Sequence, residues 1–339
     1  MVTGEPFGTL PDGQNVRRIT ISGGGLTAKV LTYGAIIQDL RLDGHAPPLV
    51  LGYERLEDYL ANVNYFGAVA GRHANRIRDG RFSIDGETYR IDPERPEAHG
   101  LHGGSGGYAR RNWQLADAGR DFVTLALHDP DGTMGFPGTL DATCTYRLSD
   151  GGRISVVFEA RTDRATLCNL AQHSYFNLDD GGEGTVLDHR LQIVADAYLP
   201  VDDALIPTGE IVPVAGTPFD FRNDRPIRHD GADGQMRYDH NFCLSPARVA
   251  MRPVARLSGA RSGVAMEVAT TEPGLQFYAG HYTTPAAPGL EGRRYDAFSA
   301  ICLEAQTWPD SPNQPDFAQA VLRPGETYRQ ETQFRLSRG

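Results

Sequence analysis

The stretch DATCTYRLSDGGRISVVFEA, residues 141–160, alternates apolar and polar side chains on both sides of an Asp-Gly pair. The apolar positions that share one face are Ala142, Cys144, Tyr146 and Leu148 before the pair, and Ile154, Val156 and Phe158 after it. A period of two is typical of strands with one buried face, and Asp-Gly tolerates the positive φ of a tight turn. The stretch therefore predicts a β-hairpin.

The same period recurs along the 339 residues, interrupted by nine Asp-Gly pairs, among them Asp85-Gly86 in RFSIDGETYRI. The best amphipathic helical segment, ERLEDYLANV at residues 54–63, is short. No linker, charge block or long repeat divides the chain. The sequence therefore predicts an all-β fold, a large β-sandwich or barrel, as a single domain over residues 1–339.

The composition and the N-terminal sequence indicate which binding partners and which cellular compartment to expect. The formal net charge of -10 argues against a nucleic-acid partner, because no basic stripe is present to contact phosphates. No apolar run is long enough to span a membrane, and residues 1–15 have neither the basic start nor the apolar run of a secretory signal. We therefore expect a cytoplasmic protein. Buried free thiols are expected at Cys144, Cys168, Cys243 and Cys302.

A carboxylate stands at the end of an apolar strand in AICLEAQ, residues 300–306. Ile301 and Leu303 share one face, and Glu304 follows them directly. Burying a carboxylate is costly unless it is paired or functional. A functional role for Glu304 is therefore favoured over a purely structural one.

A second strand, AQHSYFNL at residues 171–178, also carries polar side chains. With a period of two, His173, Tyr175 and Asn177 fall on one side, and Phe176 and Leu178 on the other. The residues alone leave two interpretations open, because His173 either satisfies local main chain or faces a polar ligand.

Other polar residues could donate to or accept from such a ligand, although a turn or an exposed position would also explain them. These are Arg72, Asn75 and Arg76 in residues 67–82, Asp239 with His240 and Asn241 in YDHNFCL, and Gln276 between Leu275 and Phe277.

The segment HGLHGGSGGYARRNW, residues 99–113, matches the Gly-x-Ser-x-Gly pattern of a hydrolase nucleophile at Ser105. The match is weak, because such a nucleophile needs a following helix, and YARRNWQL has no helical apolar face. His99 and His102 are metal-ligand types, but no third ligand accompanies them at a supporting spacing. Phosphate-loop, zinc-protease and EF-hand motifs are absent from the sequence. We therefore expect no metal ion and no cofactor.

Taken together, these segments resemble the aldose 1-epimerases, also called galactose mutarotases. The matching pieces, in family order from about residue 65 to the C-terminus, are GAVAGRHANRI, GLHGG, HSYFNL, YDHNF, PGLQFYAG, LEAQTWPDSPNQPDF and LRPGETYRQETQFRL. Two departures from the family pattern are Tyr108-Ala109-Arg110 in place of Phe-Asp-Lys, and Glu304-Ala305-Gln306 in place of Glu-Thr-Gln.

The resemblance implies a large β-sandwich, of the galactose mutarotase-like supersandwich type, with a sugar on one concave face. It implies that Glu304 is the general base and His173 the general acid. By the same resemblance, the residues that bind the sugar are Asn75, Arg76, His102, Tyr175, Asp239 and Gln276.

Exchange of anomers needs only an acid and a base, since the ring opens when the anomeric hydroxyl loses a proton and the ring oxygen gains one. No redox step is involved, which agrees with the missing cofactor motifs. A carboxylate near His173 is expected to raise the pKa of the imidazole and so keep the acid protonated.

Several alternatives stay open at this point. A carbohydrate-binding or sensing module would use the same face without turnover, and a glycoside hydrolase or lyase would need a second carboxylate such as Asp239. An epimerase for phosphorylated hexoses would need several arginines around the phosphate. The identity of the aldose and the choice between monomer and homodimer are not determined by the sequence.

Overall fold

A computed structural model of the chain describes residues 4–61, 64–92, 99–231, 234–285 and 287–338. Strands dominate it, so the predicted all-β class is confirmed. One α-helix, α1 (Leu56–Ala61), is present in these ranges, and residues 62–63 of the predicted helical segment lie outside them. None of the helices in the described ranges combines the length and the hydropathy that a bilayer crossing requires.

The largest sheet has nine strands and contains the hairpin with which the sequence pattern begins. In spatial order the strands are β10 (Gln114–Ala118), β11 (Phe122–Asp129), β12 (Leu140–Ser149), β13 (Arg153–Thr162), β29 (Tyr328–Arg338), β25 (Val264–Thr270), β24 (Arg252–Ser258), β17 (Arg190–Ile193) and β20 (Arg225–Pro226). Strands β12 and β13 pair antiparallel from Leu140↔Thr162 to Ser149↔Arg153. Their apolar positions are buried, which confirms the predicted hairpin.

A six-stranded sheet packs against this large sheet. Its strands, in spatial order, are β16 (Tyr175–Phe176), β27 (Ile301–Gln306), β26 (Gly274–Tyr278), β23 (Asp239–Cys243), β18 (Ala197–Tyr198) and β19 (Val212–Pro213). The rings of Phe176 and Phe334 are 5.1 Å apart across the two layers, and Gln330 Nε2 donates to the carbonyl oxygen of Ala305 at 2.8 Å. The two sheets therefore face one another over a shared core, as predicted for a sandwich.

Shorter sheets cover the remaining faces. They are the four-stranded sheet β1 (Glu5–Thr9), β2 (Asn15–Gly23), β3 (Leu26–Leu31) and β4 (Ile37–Leu42), and the pairs β5 (Ala68–Ala70) with β15 (Ala171–His173), β6 (Arg76–Ile77) with β9 (Gly100–Leu101), β7 (Arg81–Ile84) with β8 (Glu87–Arg90), β14 (Thr166–Leu167) with β28 (Val321–Leu322), and β21 (Asp230–Gly231) with β22 (Gly234–Gln235). Within the described ranges, five short 3₁₀ turns lie at Arg78–Gly80, Tyr108–Arg110, Thr133–Gly135, Leu290–Gly292 and Ser311–Asn313. The largest cluster of buried apolar residues has members from Ile19 to Leu336, while the boundaries of one domain over residues 1–339 stay a prediction.

Alternation along the six-stranded sheet gives it two different faces. In β27, Leu303 belongs to the core between the sheets, whereas its neighbour Glu304 points to the opposite face. In β26, Phe277 belongs to the same core, and Gln276 points with Glu304, its cross-strand partner. The face turned away from the core is therefore the polar one.

The loop between β5 and β6 is anchored by a buried ion pair. Nε and Nη2 of Arg72 donate to Asp129 Oδ2 at 2.9 and 2.6 Å, and Nη1 donates to the carbonyl oxygens of Pro137 and Gly138. Both charged side chains are almost completely buried. Arg72 is thus a structural anchor and does not line the pocket described below, in contrast to the interpretation that it donates to a ligand.

We expect Asp129→Ala to lower the free energy of unfolding by about 3–5 kcal/mol, because it leaves the buried Arg72 guanidinium without its carboxylate. The matched control is Asp224→Ala, which removes the carboxylate of the Arg190–Asp224 pair, whose side chains are 47% and 38% exposed. That change should cost at most about 1 kcal/mol. Urea unfolding measures both variants, and equal losses would contradict the assignment of Arg72 as an anchor.

Candidate active site

An open pocket of about 260 Å³ lies on the polar face of the six-stranded sheet. Of the eight site residues implied by the family resemblance, seven line it, and they are Glu304, His173, Asn75, Arg76, His102, Tyr175 and Asp239. The exception, Gln276, lines a small adjoining cavity that shares Asn75 and Asp239 with the pocket. The fold thus brings together residues from five separate segments of the chain.

The sequence analysis missed other residues of the pocket wall, namely Asn64, Tyr65, Leu101, Tyr278 and Tyr282. Tyr278 could have been found, since it lies two positions after Gln276 in β26 and so shares its face. Tyr65 carried no such signal. It follows α1 with a φ of 56°, and only the tertiary fold brings its ring within 4.7 Å of His102 and 5.8 Å of His173.

The centre of the pocket is a contact between Glu304 and His173. Nε2 of His173 lies 3.5 Å from Oε1 of Glu304, and the two side chains are only 6% and 3% exposed. Among the described residues, Oε2 of Glu304 has no hydrogen-bond partner. His173 therefore points into the pocket towards Glu304, which settles the choice that the residues alone left open.

Burial changes the pKa of both groups. Desolvation raises the pKa of Glu304 well above its usual value, and the nearby Asp239 carboxylate adds to this effect. Desolvation also lowers the pKa of His173 to about 4. The expectation that a neighbouring carboxylate would leave His173 with a raised pKa is therefore wrong, because loss of water around the imidazolium outweighs the main-chain hydrogen bond and the Asp239 charge that favour it.

These opposite shifts mean that the Glu304–His173 pair holds a single proton over a wide pH range. That proton resides on the carboxyl group of Glu304 or on the imidazole of His173, and the two arrangements carry the same total charge. Their ratio is consequently independent of pH, and the titrations belong to the pair. Such a pair can accept one proton and deliver another without any change in its total number of protons.

Packing restrains the plane of the His173 ring from two sides. The rings of His173 and Tyr175 stack at 5.2 Å, and that of Tyr65 stacks on His173 as well. The strand predicted over residues 171–178 is interrupted at Ser174, since β15 pairs with β5 and β16 pairs with β27. His173 and Tyr175 still face the same pocket because the interruption is only one residue long.

Alternation fails at the end of this segment. Asn177 does not join the pocket but is completely buried; its Nδ2 donates to the carbonyl oxygen of Ser299 at 2.8 Å. Its Oδ1 accepts from the main-chain N–H groups of Asp179 and Asp180. Asn177 therefore anchors the following loop.

The tautomer of His102 is set by the main chain. Its Nδ1 accepts a hydrogen bond from the N–H of Asn75 at 3.1 Å, so the ring proton of the neutral imidazole is on Nε2. Burial lowers the pKa of His102 well below its usual value and keeps the ring neutral. His102 is therefore suited to donate one hydrogen bond from Nε2.

The ligand atoms of His102, His173 and Glu304 lie within 4.8 Å of one another, a spacing that metal ions accept. The donor set does not fit a cation, because the lone pair of His102 Nδ1 is used by Asn75 and its Nε2 carries a proton. His99 is engaged elsewhere, since its Nδ1 accepts from the main-chain N–H of Asp79 at 2.8 Å. These residues fit a hydrogen-bonding ligand better than a metal ion.

One wall of the pocket is a polar network around Asp239. Gln276 Nε2 donates to Asp239 Oδ1 at 2.6 Å, and Arg76 Nη1 lies 3.5 Å from Oδ2. The positive charge of Arg76 is therefore largely balanced by Asp239. This wall offers donors and acceptors with little net charge, as a hydroxylated neutral ligand requires.

Other candidates from the sequence lie away from the pocket. Ser105 Oγ contacts Met134 Sδ at 3.7 Å, and the chain continues into the 3₁₀ turn Tyr108–Arg110 and not into an α-helix. Ser105 therefore lacks the surroundings of a hydrolase nucleophile. The ring of His240 packs on that of Phe219, with the centroids 4.5 Å apart.

Comparison with known proteins identifies one family over nearly the whole chain. A family model described as aldose 1-epimerase matches residues 17–335. The galactose mutarotase of Mus musculus is 42% identical over 343 residues, covering 99% of this chain and 98% of that protein, and the aldose 1-epimerase of Escherichia coli (strain K12) is 38% identical over 337 residues, covering 96% of each. The solved GalM/aldose epimerase homologue from C. elegans superposes with a TM-score of 0.87 at 29% identity, covering 95% of this chain and 99% of that one. The chain belongs to the aldose 1-epimerase family.

Proposed function

We propose that the chain is an isomerase that interconverts the α and β anomers of a free aldose such as galactose or glucose. The observation that carries this proposal is the buried contact of Glu304 Oε1 with His173 Nε2 inside a polar pocket. Relatives named galactose mutarotase and aldose 1-epimerase support it.

In the proposed reaction, the Glu304 carboxylate accepts the proton of the anomeric hydroxyl while His173 Nε2 gives a proton to the ring oxygen. The bond between the anomeric carbon and the ring oxygen breaks and leaves an aldehyde. Rotation about the adjacent carbon–carbon bond then presents the other face, and the two proton transfers run in reverse as the ring closes. Protons and electrons balance without a cofactor.

The pKa shifts favour these transfers. A carboxylate whose pKa is raised is a stronger base, and an imidazolium whose pKa is lowered is a stronger acid. The same shifts reduce the fraction of molecules in which Glu304 is a carboxylate while His173 is an imidazolium. Hydroxyl groups of a bound sugar would offset this by donating to Glu304 Oε2, which has no partner within the described part of the chain.

The proposed sugar contacts follow from the pocket wall. Arg76, Asp239 and Gln276 would bind hydroxyls, and His102 would donate from Nε2 to the ring oxygen or a neighbouring hydroxyl. Among the described lining residues, Arg76 is the one arginine, and it faces Asp239. This disfavours a phosphorylated hexose, for which several unpaired cations would be needed.

Two further points concern the cellular location of the protein and its binding partners. Cys144, Cys168, Cys243 and Cys302 are all free, which supports the proposed cytoplasmic location, where thiols stay reduced. The expectation of a monomer or homodimer, without nucleic-acid or membrane partners, stays a prediction.

The direct test is anomer exchange on a panel of free aldoses, followed by polarimetry of freshly dissolved sugar and corrected for spontaneous mutarotation. Acceleration with at least one aldose is expected. Binding of aldoses without acceleration would instead support a sensing module, and release of reducing sugar from oligosaccharides would support a glycosidase.

Glu304→Gln and His173→Ala should each lower kcat by at least about 10²-fold, because each removes one of the two proton-transfer groups. Ser105→Ala is the matched control and should keep wild-type activity, since Ser105 lies outside the pocket. Circular dichroism should show the same fold in all three variants. Near-normal mutarotation by Glu304→Gln would rule out its role as the base.

The pH profile of kcat/KM should be bell-shaped, since the active pair holds one proton. As the pH falls through about 4, the pKa of His173, a second proton is added and activity is lost. On the alkaline side the last proton leaves only above the raised pKa of Glu304. Unperturbed groups would lose activity above pH about 6.5, so an alkaline midpoint at or below that value would contradict the shifts.

A further inference from the structure

We infer that Cys302 is a positioning residue for His173, whose thiol sulfur accepts from Nδ1–H and thereby directs Nε2 towards Glu304. The inference rests on the proposed function of the site and adds a residue that touches no substrate. Its basis is the position of Cys302 in β27, its contact with the imidazole, and the requirement of the reaction for one tautomer.

The register of the sheet puts Cys302 beside Tyr175 and within contact of His173. It lies two positions before Glu304 in β27, on the same face, and it is the cross-strand partner of both Tyr175 and Tyr278. Its side chain is completely buried. Sγ is 3.5 Å from Nδ1 of His173, so the two ring nitrogens of His173 face two side chains of the same strand.

The reaction needs a fixed proton on Nδ1. If Nε2 is to give up and regain a proton, Nδ1 must keep its own proton throughout, and this requires an acceptor at Nδ1. Burial and the nearby Glu304 charge raise the pKa of the Cys302 thiol well above its usual value, so the group is neutral. A neutral sulfur is a weak acceptor.

A weak acceptor has a chemical advantage here. A carboxylate at the position of Sγ would also hold Nδ1–H, but it would stabilise the imidazolium and make it a weaker acid. The thiol orients the ring while leaving the low pKa of His173, about 4, in place.

The test compares Cys302→Ala and Cys302→Ser with Cys144→Ala. Cys144 is equally buried, but it lies in β12 within the core and away from the pocket. Cys302→Ala should lower kcat about tenfold with little change in KM, because the ring loses its orientation while the sugar contacts remain. Cys302→Ser should recover most of this loss, since its hydroxyl oxygen accepts from Nδ1–H. Cys144→Ala should keep kcat, whatever it costs in stability.

The tautomer itself is measured by ¹⁵N NMR of histidine-labelled protein, with His173→Ala used to assign the signal. We expect Nδ1–H in the wild type and in Cys302→Ser, and a mixture of tautomers in Cys302→Ala. Unchanged kcat and tautomer in Cys302→Ala would overturn the inference, as would equal losses in Ala and Ser variants with the wild-type tautomer. This measurement needs no turnover, so it separates failure of the inference from failure of the proposed function.

Discussion

The structure depends on the two-faced alternation of strand β27. Ile301, Leu303 and Ala305 lie in the core against the nine-stranded sheet, and this burial fixes the strand's register. A slip of one residue would exchange the two faces, which the hydrophobic core does not allow. The core therefore determines that Glu304 faces the pocket, although the carboxylate contributes nothing to the core itself.

The same burial creates the chemistry of the site. Glu304 and His173 lie where neither charged form is well solvated, so their pKa values move in opposite directions and the pair retains one proton. The polar groups next to the Glu304–His173 pair are themselves held in place by hydrogen bonds. The main chain of Asn75 sets the tautomer of His102, and Asp239 is held by Gln276 and Arg76.

The two arginines of the segment GAVAGRHANRI are close in sequence but have different roles in the fold. Arg72 is fully buried, pairs with Asp129 and anchors the loop. Arg76, four residues later, lines the pocket next to Asp239. Nothing in the local sequence distinguishes them, because the difference lies in what the distant strand β11 places next to Arg72.

The local pattern was sufficient for the all-β class, for the hairpin of residues 141–160 and for the face that His173 shares with Tyr175, since side-chain alternation is a property of the strand itself. It failed at Asn177, where the strand had already ended, and for the pKa of His173, because a sequence does not reveal how completely a group is desolvated. Tyr65 and the position of Cys302 at Nδ1 of His173 were beyond its reach. Periodicity determined which residues share a face, whereas the tertiary structure alone decided which faces meet and how much water remains between them, because both depend on contacts between segments far apart in the chain.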